Sequence, residues 1–415
     1  MMFVAIINAA ASEAPDRQAW ALRSAVSLGA GAVRFAGTVP HPETLRLAET
    51  LRIPVVPDAN PAAPPLALPA VLPSPAFCHR RIPPAECNLT SRAMEAAFAP
   101  PPDSNAPDIP HMLANALGSF RMPTGFDNAL RLLQIAQAYA AERAAASLRM
   151  EGRAAAIDLV AAPAGAPFAT LDPDGGWRAA HYRLRHALAP TTLAAKYLPA
   201  DATLLVHAAN RRREPLRARL RWRVARLDGL PLDEGRASAH LAPSAAAAVA
   251  AIPLAGLLRH YPPHQMLVWL SLETDEATAS PPLARSCALL CAPKHLALQD
   301  PAISIDVESI PARSAKGSPE WRRGFRLLFP GAEDEIESQR DGGHWFRVTL
   351  TSIAPALWTW LETPGIDDIH PGDNFVHLES EMPVEILVRS GRPLPLRAFR
   401  KALRVRSLFD TFVEP

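Results

Sequence analysis

The feature that most constrains the fold is a change in hydrophobic period near residue 200. Before it, short apolar runs alternate with segments of helical period. After it, apolar and polar residues alternate, as in residues 218–227, where Leu220, Trp222 and Val224 are interleaved with arginines. This change predicts an α/β region followed by antiparallel sheets.

The beginning of the chain has the pattern of a βαβαβ unit. Continuous apolar runs predict strands buried on both faces, at residues 2–8, 32–36 and 53–56. Helical spacing predicts a helix that starts after Ser12 and ends at Gly29, and a second helix over residues 41–51. Strands joined by crossover helices are expected to form a parallel sheet.

Proline-rich segments interrupt this pattern and predict loops at residues 59–76 and 100–110. A short helix is expected between them at residues 90–98. A long helix follows over residues 127–150, and Thr124 with Asp127 has the spacing of a capping box at its start.

Beyond residue 200 the alternating segments predict two antiparallel sandwiches of roughly 100 residues each. The joint between them is expected near residues 293–301. The predicted strands of the first sandwich are 202–208, 218–227, 265–273 and 284–292, and those of the second are 303–307, 345–351, 356–361, 373–378 and 384–389.

Composition excludes several classes of function. The 43 basic and 41 acidic residues nearly balance, so there is no electrostatic case for nucleic acid or an anionic membrane as partner. No apolar run approaches the ~20 residues of a membrane helix, and a cytoplasmic location is expected. The four cysteines are interpreted as small buried residues. Neither they nor the histidines predict a metal site, and no cofactor is expected.

Several sequence blocks resemble the β-mannosidases of glycoside hydrolase family 2, in the family's order. Gly175 to Pro190 (GGWRAAHYRLRHALAP) is similar to the segment that opens the last barrel helix, and residues 292–301 (APKHLALQDP) to the end of the mannosidase sandwich. Asp373-Asn374-Phe375 resembles a signature of the last immunoglobulin-like domain. The resemblance implies an incomplete TIM-barrel-like α/β region over residues 1–198, then immunoglobulin-like β-sandwiches over 199–300 and 301–415.

The sequence blocks that resemble the family lack the two carboxylates that its retaining mechanism uses. The family's acid/base glutamate lies in an Asn-Glu pair, and no Asn-Glu dipeptide occurs in the 415 residues. Ala76 falls at the position of the nucleophile, and Ile157 to Pro163 replaces the block that carries the family's sugar-stacking tryptophan. The middle of the barrel is interpreted as deleted.

Four residues are candidates for contact with a substrate. Arg34 matches an arginine near the family's nucleophile, and it either contacts a sugar hydroxyl or pairs with a neighbouring carboxylate. Asp58 and Asp158 are acids that could replace the missing pair. His79, in a basic His-Arg-Arg cluster, either binds an anion or is a solvated loop residue.

Two hypotheses follow. The first is a degenerate β-mannosidase-like protein without hydrolytic activity that binds a carbohydrate or a partner. The second is an active exo-glycosidase that uses non-standard acids or is completed by a separately encoded N-terminal subunit. A homo-oligomer is an alternative to that completing subunit.

Trp358 and Trp360 lie two apart on a predicted strand and are expected to share a face. They either stack on sugar or belong to the core of the last sandwich.

Overall fold

A computed structural model describes most of the chain. The described residues are 3–8, 15–36, 40–56, 109–151, 155–160, 169–172, 175–274, 282–310 and 344–413. The predicted helix at 90–98 and nearly all of the two proline-rich segments lie outside them. Within the described part, no helix is long and apolar enough to cross a membrane.

The α/β region comes first. Its strands are β1 (Phe3–Asn8), β2 (Ala32–Ala36), β3 (Val55–Val56) and β4 (Ala155–Val160). Its helices are α1 (Pro15–Ser27), α2 (Pro42–Thr50), α3 (Ile109–Leu117), α4 (Gly125–Met150) and α5 (Ala179–Ala187). The predicted strand at 32–36 and the helix that starts at Pro15 are confirmed.

The four strands form one parallel sheet in the order β3-β2-β1-β4. The last strand of the region therefore pairs with the first, which is the relation that closes a (β/α) barrel. One face of the sheet packs on the helices through Ile7, Val33 and Ile157, which belong to the main buried cluster. The described strands therefore make an incomplete barrel-like α/β region.

The start of α4 differs from the prediction. Thr124 is its N-cap residue, but its side chain accepts no hydrogen bond from a backbone N–H of the first turn, so the predicted capping box with Asp127 is wrong. The Thr124 hydroxyl instead donates to the carbonyl of Val413, and the Thr124 N–H donates to the carbonyl of Thr411. The carbonyls of Thr411 and Val413 therefore bind the N-cap residue of this helix.

The first sandwich has two sheets. Its strands are β5 (Thr191–Leu198), β6 (Thr203–Asn210), β7 (Leu216–Arg226), β8 (Pro231–Leu241), β9 (Ala245–Pro253), β10 (Met266–Thr274) and β11 (Ala284–Leu289), and a short helix α6 (Ala255–Leu258) follows β9. The sheets have the orders β5-β6-β9 and β11-β10-β7-β8. Val206, Leu220 and Val268 are among the buried residues that form its core.

The second sandwich also has two sheets. Its strands are β12 (Ser304–Ile310), β13 (His344–Thr351), β14 (Ala356–Glu362), β15 (Ile369–Pro371), β16 (Val376–Leu378), β17 (Val384–Ser390) and β18 (Arg404–Arg406), with helix α7 (Leu396–Ala402) before the last. The orders are β12-β13-β17-β15 and β16-β14-β18. Phe346 and Phe399 stack in its core with ring centroids 4.2 Å apart.

Trp358 and Trp360 are buried, but not in the core of the second sandwich. The Trp358 ring lies 5.7 Å from the ring of Tyr139, and the Trp360 ring lies 5.5 Å from the guanidinium of Arg131, so both tryptophans contact α4. They belong to the cluster shared with the α/β region. Trp358 also has a left-handed backbone (φ 46°), and the pairing of β14 with β16 shifts register beside it.

That cluster joins all three parts of the chain. It contains Leu132 and Ile135 of α4, Leu267 of the first sandwich, and Trp358 and Trp360 of the second. Burial of apolar surface stabilises by about 25 cal/mol per Å², so each part is stabilised by the presence of the others.

Candidate functional site

The carboxyl ends of the four parallel strands define one edge of the barrel-like region, where ligands of such sheets bind. The strands end at Asn8, Ala36, Val56 and Val160. The segments that follow these ends lie outside the described residues. Two predicted site residues, Asp58 and His79, are among them, as is Ala76.

Arg34 and Asp158 lie at the same level of the sheet. Arg34 of β2 is in register with Ile6 of β1, and Asp158 of β4 is in register with Ile6 from the other side. Because neighbouring strands are about 4.8 Å apart, the two backbones are about 10 Å apart. The next residue along this level is Val56, which pairs with Arg34.

The inner face of the sheet around this level is mostly apolar. Val4, Ile6, Ala32 and Ala156 form a small buried cluster on it. Arg34 is half-buried on the same face because it alternates with Val33 and Phe35, which face the helices. A guanidinium in these surroundings is a group that could donate hydrogen bonds to a bound ligand.

An aromatic cluster lies where α1, the start of α5 and the second sandwich meet. Trp20 and Trp177 have ring centroids 6.1 Å apart, and the His370 ring lies 5.5 Å from Trp20. Their indole N–H groups are used internally: Trp20 donates to the carbonyl of Gly175 (2.8 Å) and Trp177 to the hydroxyl of Ser24 (2.9 Å). The ring orientations are therefore fixed by hydrogen bonds.

The edge of this aromatic cluster is charged. His370 Nε2 lies 2.9 Å from an oxygen of Asp368, and the Arg185 guanidinium lies 5.4 Å from the centre of the Trp177 ring. Trp20, Trp177 and His370 are partly exposed. Aromatic rings beside hydrogen-bonding groups can stack on a sugar ring and bind its hydroxyls. Sequence reasoning missed this arrangement, although Trp177 lay in a resembling block.

A buried ion pair fixes the beginning of the Gly175–Pro190 segment. Arg178 pairs with Asp172 at 2.8 Å, and both side chains are almost fully buried, at 0% and 4% exposed. Arg178 also donates to the carbonyl of Ala169 (3.1 Å), and Gln134 of α4 accepts the N–H of Ala179. The block therefore anchors the first turn of α5 to α4.

A second ion pair anchors the other side of α5. Arg183 makes two hydrogen bonds to Glu142 of α4, at 2.7 and 3.0 Å. Burial is the largest single influence and lowers the pKa of Arg183, but Glu142 and Asp373, with a smaller contribution from Cys287, together outweigh it. The pKa is therefore raised and the guanidinium stays charged.

The Asp373-Asn374-Phe375 signature connects α5 to the second sandwich. Asp373 is hydrogen-bonded to His186 of α5 (2.8 Å), and Asn374 accepts from the N–H of Leu361 (2.8 Å) and donates to its carbonyl (3.1 Å). Burial would raise the pKa of Asp373, but His186 and Arg185 bring it below its usual value. Residues 373–375 are thus a connecting turn, and the strand expected over 373–378 begins only at Val376.

Burial also shifts the pKa values of groups within this junction. The pKa of His377 is well below its ordinary value because of burial, with the charges of Arg183 and His186 acting in the same direction. The pKa of the Cys287 thiol is raised by burial, although Arg183 opposes the shift. Cys287 is a neutral thiol at ordinary pH, in keeping with a packing role.

The histidines that the structure describes are not brought together in a metal site. Among the described residues there is no group of three or more His, Cys, Asp or Glu side chains that could hold a metal ion. His344, which hydrogen-bonds the backbone of Leu394, and His377, which accepts the N–H of Trp358, have structural partners.

Comparison with protein families identifies both sandwiches. Residues 202–295 match the model of the mannosidase Ig/CBM-like domain, and residues 329–411 match the Ig-mannosidase model, an Ig-fold domain. A comparison with curated proteins found no match.

Solved structures have the same fold. The β-D-mannosidase of Dictyoglomus thermophilum is similar at a TM-score of 0.64 and 13% identity, over 82% of this chain and 36% of that one. The exo-chitosanase CsxA of Amycolatopsis orientalis is similar at a TM-score of 0.64 and 11% identity, over 96% of this chain and 61% of that one. The chain therefore spans between about a third and three fifths of the length of these structures.

Proposed function

We propose that this chain is a non-hydrolytic relative of the β-mannosidase-like family 2 glycoside hydrolases, corresponding to their C-terminal part, with a sugar-binding role. In this proposal the α/β region extends to about residue 198 and the two sandwiches divide near residue 300. The barrel edge is the binding site, and Arg34 and Asp158 contribute to it.

The main support for the proposal is the identity of the residues that lie in register with Ile6 across the parallel sheet. Retaining hydrolysis needs two carboxyl groups about 5 Å apart on opposite sides of the sugar bond. Of the four residues in register here, Val56, Arg34, Ile6 and Asp158, only Asp158 is acidic. The other charged residue at that level is a cation, two strands and about 10 Å of backbone away.

The sequence supports the same conclusion. No Asn-Glu dipeptide is present in the 415 residues, so the family's usual acid/base glutamate has no counterpart. General acid–base catalysis contributes about 10²–10⁴-fold, and nucleophilic catalysis is lost with the second carboxylate. What is left is hydrogen-bonding capacity, which suits binding without cleavage.

The alternative is an active exo-glycosidase that uses unusual acids, with or without a separately encoded chain that completes the barrel. Asp158 favours it, because this acid lies in register beside the first strand. Asp58 is a second acid that such an enzyme could use.

A panel of nitrophenyl glycosides decides between the two. We expect the purified chain to release no nitrophenol from β-mannosides, β-glucosaminides or β-glucosides above a mock purification. Turnover that Asp158→Asn abolishes, while the exposed control Asp306→Asn leaves it unchanged, would establish the active alternative.

Binding is tested separately, by calorimetric titration with mannobiose and chitobiose. We expect Arg34→Gln to weaken the binding of whichever sugar binds by about tenfold, because a charged donor is lost. The exposed substitution Arg259→Gln is the control. Absence of binding by the unmodified chain at millimolar sugar would remove the sugar-binding part of the proposal.

A further inference from the structure

One outward sheet face of the first sandwich is rich in arginine. It belongs to the sheet β11-β10-β7-β8, and we call it the arginine face. Its members alternate along β7 or lie on the neighbouring strands: Arg217, Arg219, Arg221, Arg223, Arg236 and Arg285.

The strand register shows that these residues share one face. Arg221 pairs with Arg236 of β8 on one side and with Ser271 of β10 on the other, and Ser271 pairs with Arg285 of β11. A row across all four strands therefore carries three arginines. Like charges directly opposite each other, as at Arg221 and Arg236, destabilise a sheet, so folding alone does not favour this arrangement.

The carboxylates that the described residues bring to this face do not balance the arginines. Glu234 lies 3.9 Å from Arg221, Glu379 of the second sandwich lies 3.0 Å from Arg223, and Glu273 is in register with Arg219. Among the described residues, these six arginines outnumber the three glutamates by three. The whole chain has a net charge of only +2, so the excess is a local property.

The face is open to solvent over its charged half. Arg217, Arg219, Arg236 and Arg285 are exposed. The other half is covered: Leu267 and Trp269 belong to the cluster shared with the second sandwich. Glu379 marks the boundary between the two halves, since its carboxylate reaches Arg223 from the second sandwich.

We propose that the arginine face binds a linear acidic polysaccharide through its carboxylate or sulfate groups. Guanidinium groups bind such anions with two parallel hydrogen bonds, which lysine cannot do. Alternate residues of a strand are about 6.8 Å apart, so the four arginines of β7 form an extended row that suits a chain with repeated anionic groups. The face lies within the residues that match the mannosidase Ig/CBM-like domain.

Nucleic acid suits the face less well. Proteins that bind single strands without sequence preference stack the bases on exposed aromatic rings. The tryptophan of this face, Trp269, is 8% exposed and is packed beneath the second sandwich. A flat row of arginines beside a covered ring favours an anionic polysaccharide.

The test measures the affinity of the full chain for polygalacturonate, which carries carboxylates, and for heparin, which carries sulfates. Neutral mannan and single-stranded oligothymidylate are the comparison ligands. We expect at least one acidic polysaccharide to bind with an affinity that decreases as salt increases, and the stronger of the two identifies the anionic group. Mannan should not bind at this face.

The double variant Arg219→Gln/Arg221→Gln should lose about tenfold or more in this affinity, because two charge-assisted contacts are removed. Its matched control is Arg212→Gln/Arg213→Gln, which changes the net charge equally in an exposed loop of the same sandwich. The control should change the affinity less than about twofold. The single variant Arg285→Gln, on another strand, repeats the test if the double variant does not fold.

Three results would overturn the proposal. They are no binding of either acidic polysaccharide, equal losses in the double variant and its control, and oligothymidylate bound as tightly as the better polysaccharide. None of them concerns the barrel edge, so the arginine face and the proposed function succeed or fail independently.

Discussion

The indole N–H of Trp20 donates a hydrogen bond to the carbonyl of Gly175, 155 residues further along the chain. Gly175 has a left-handed backbone (φ 89°), and a Cβ at this position would lie 3.2 Å from the Trp20 ring. The close contact and the backbone conformation together explain why a glycine stands here. Trp20 thus ties α1 to the entry of α5.

Gly175→Ala should destabilise the fold by about 1–3 kcal/mol, through the left-handed backbone and the contact with Trp20. The control is Gly365→Ala, where φ is 79° but nothing lies within 4 Å of the added Cβ. Urea unfolding measures both free energies of unfolding. Equal losses in the two variants would show that crowding by Trp20 contributes nothing.

Asp172→Asn should be among the most destabilising single changes in the described region. It removes the carboxylate charge that lies 2.8 Å from the buried Arg178 guanidinium, a loss that costs about 3–5 kcal/mol. Glu308→Gln, in the exposed pair with Arg347, should cost no more than about 1 kcal/mol. Thermal unfolding compares them, and a similar effect of the two changes would contradict the structural role of Asp172.

Asn374→Ala should cost about 1–3 kcal/mol, because the buried N–H and carbonyl of Leu361 both lose their side-chain partner. Asn115→Ala, at an exposed position of α3, should be neutral or slightly stabilising. Urea unfolding is the measurement. If the two variants have the same free energy of unfolding relative to the unmodified chain, the turn at 373–375 does not depend on the hydrogen bonds between Asn374 and Leu361.

Stability should decrease as the pH falls below 6.5. Burial lowers the folded-state pKa of His181 and His377 well below that ordinary value. Between the folded-state pKa values and 6.5 the unfolded chain binds more protons, so the free energy of unfolding rises with pH and levels off above 6.5.

His377→Gln should reduce this slope by up to about 1.4 kcal/mol per pH unit, the contribution of one proton. Asn374→Ala is the control, since it destabilises the fold without removing a histidine. It should shift the whole curve and keep its slope. The slope is measured by urea unfolding at a series of pH values. An unchanged slope in His377→Gln would contradict the lowered folded-state pKa of His377 as a cause of the pH dependence.

Much of the α/β region could be predicted from sequence because its signals are local. The apolar run at 32–36 matches β2, and Pro15 and Gly29 lie at the limits of α1. The resemblance to the mannosidase-type sandwiches is confirmed by the two domain models.

The missed strands have no local signal. The alanine-rich sequence of β9 favours a helix, and β8 begins with proline and several polar residues. They are strands because β9 pairs along β6 and β8 pairs along β7, so tertiary contacts override propensity. The left-handed Trp358 and the cap of Thr124 likewise depend on residues distant in sequence.

The candidate site was predicted only in part. Arg34 was named as a candidate from the resemblance alone, whereas its position opposite the helix-packed face and at the same level as Asp158 comes from the structure. The aromatic cluster of Trp20, Trp177 and His370 could not be predicted, because its three members come from three distant segments.

The hydrogen bonds from Thr124 to Thr411 and Val413 have a consequence for biosynthesis. Ribosomes release the beginning of a chain long before its end, and early parts generally fold first. Here the N–H and the hydroxyl of Thr124 receive these partners only after Thr411 has been made, 287 residues later. During translation α4 is therefore made long before the carbonyl groups that bind its N-cap residue. A chaperone could bind this end of the helix in the interval.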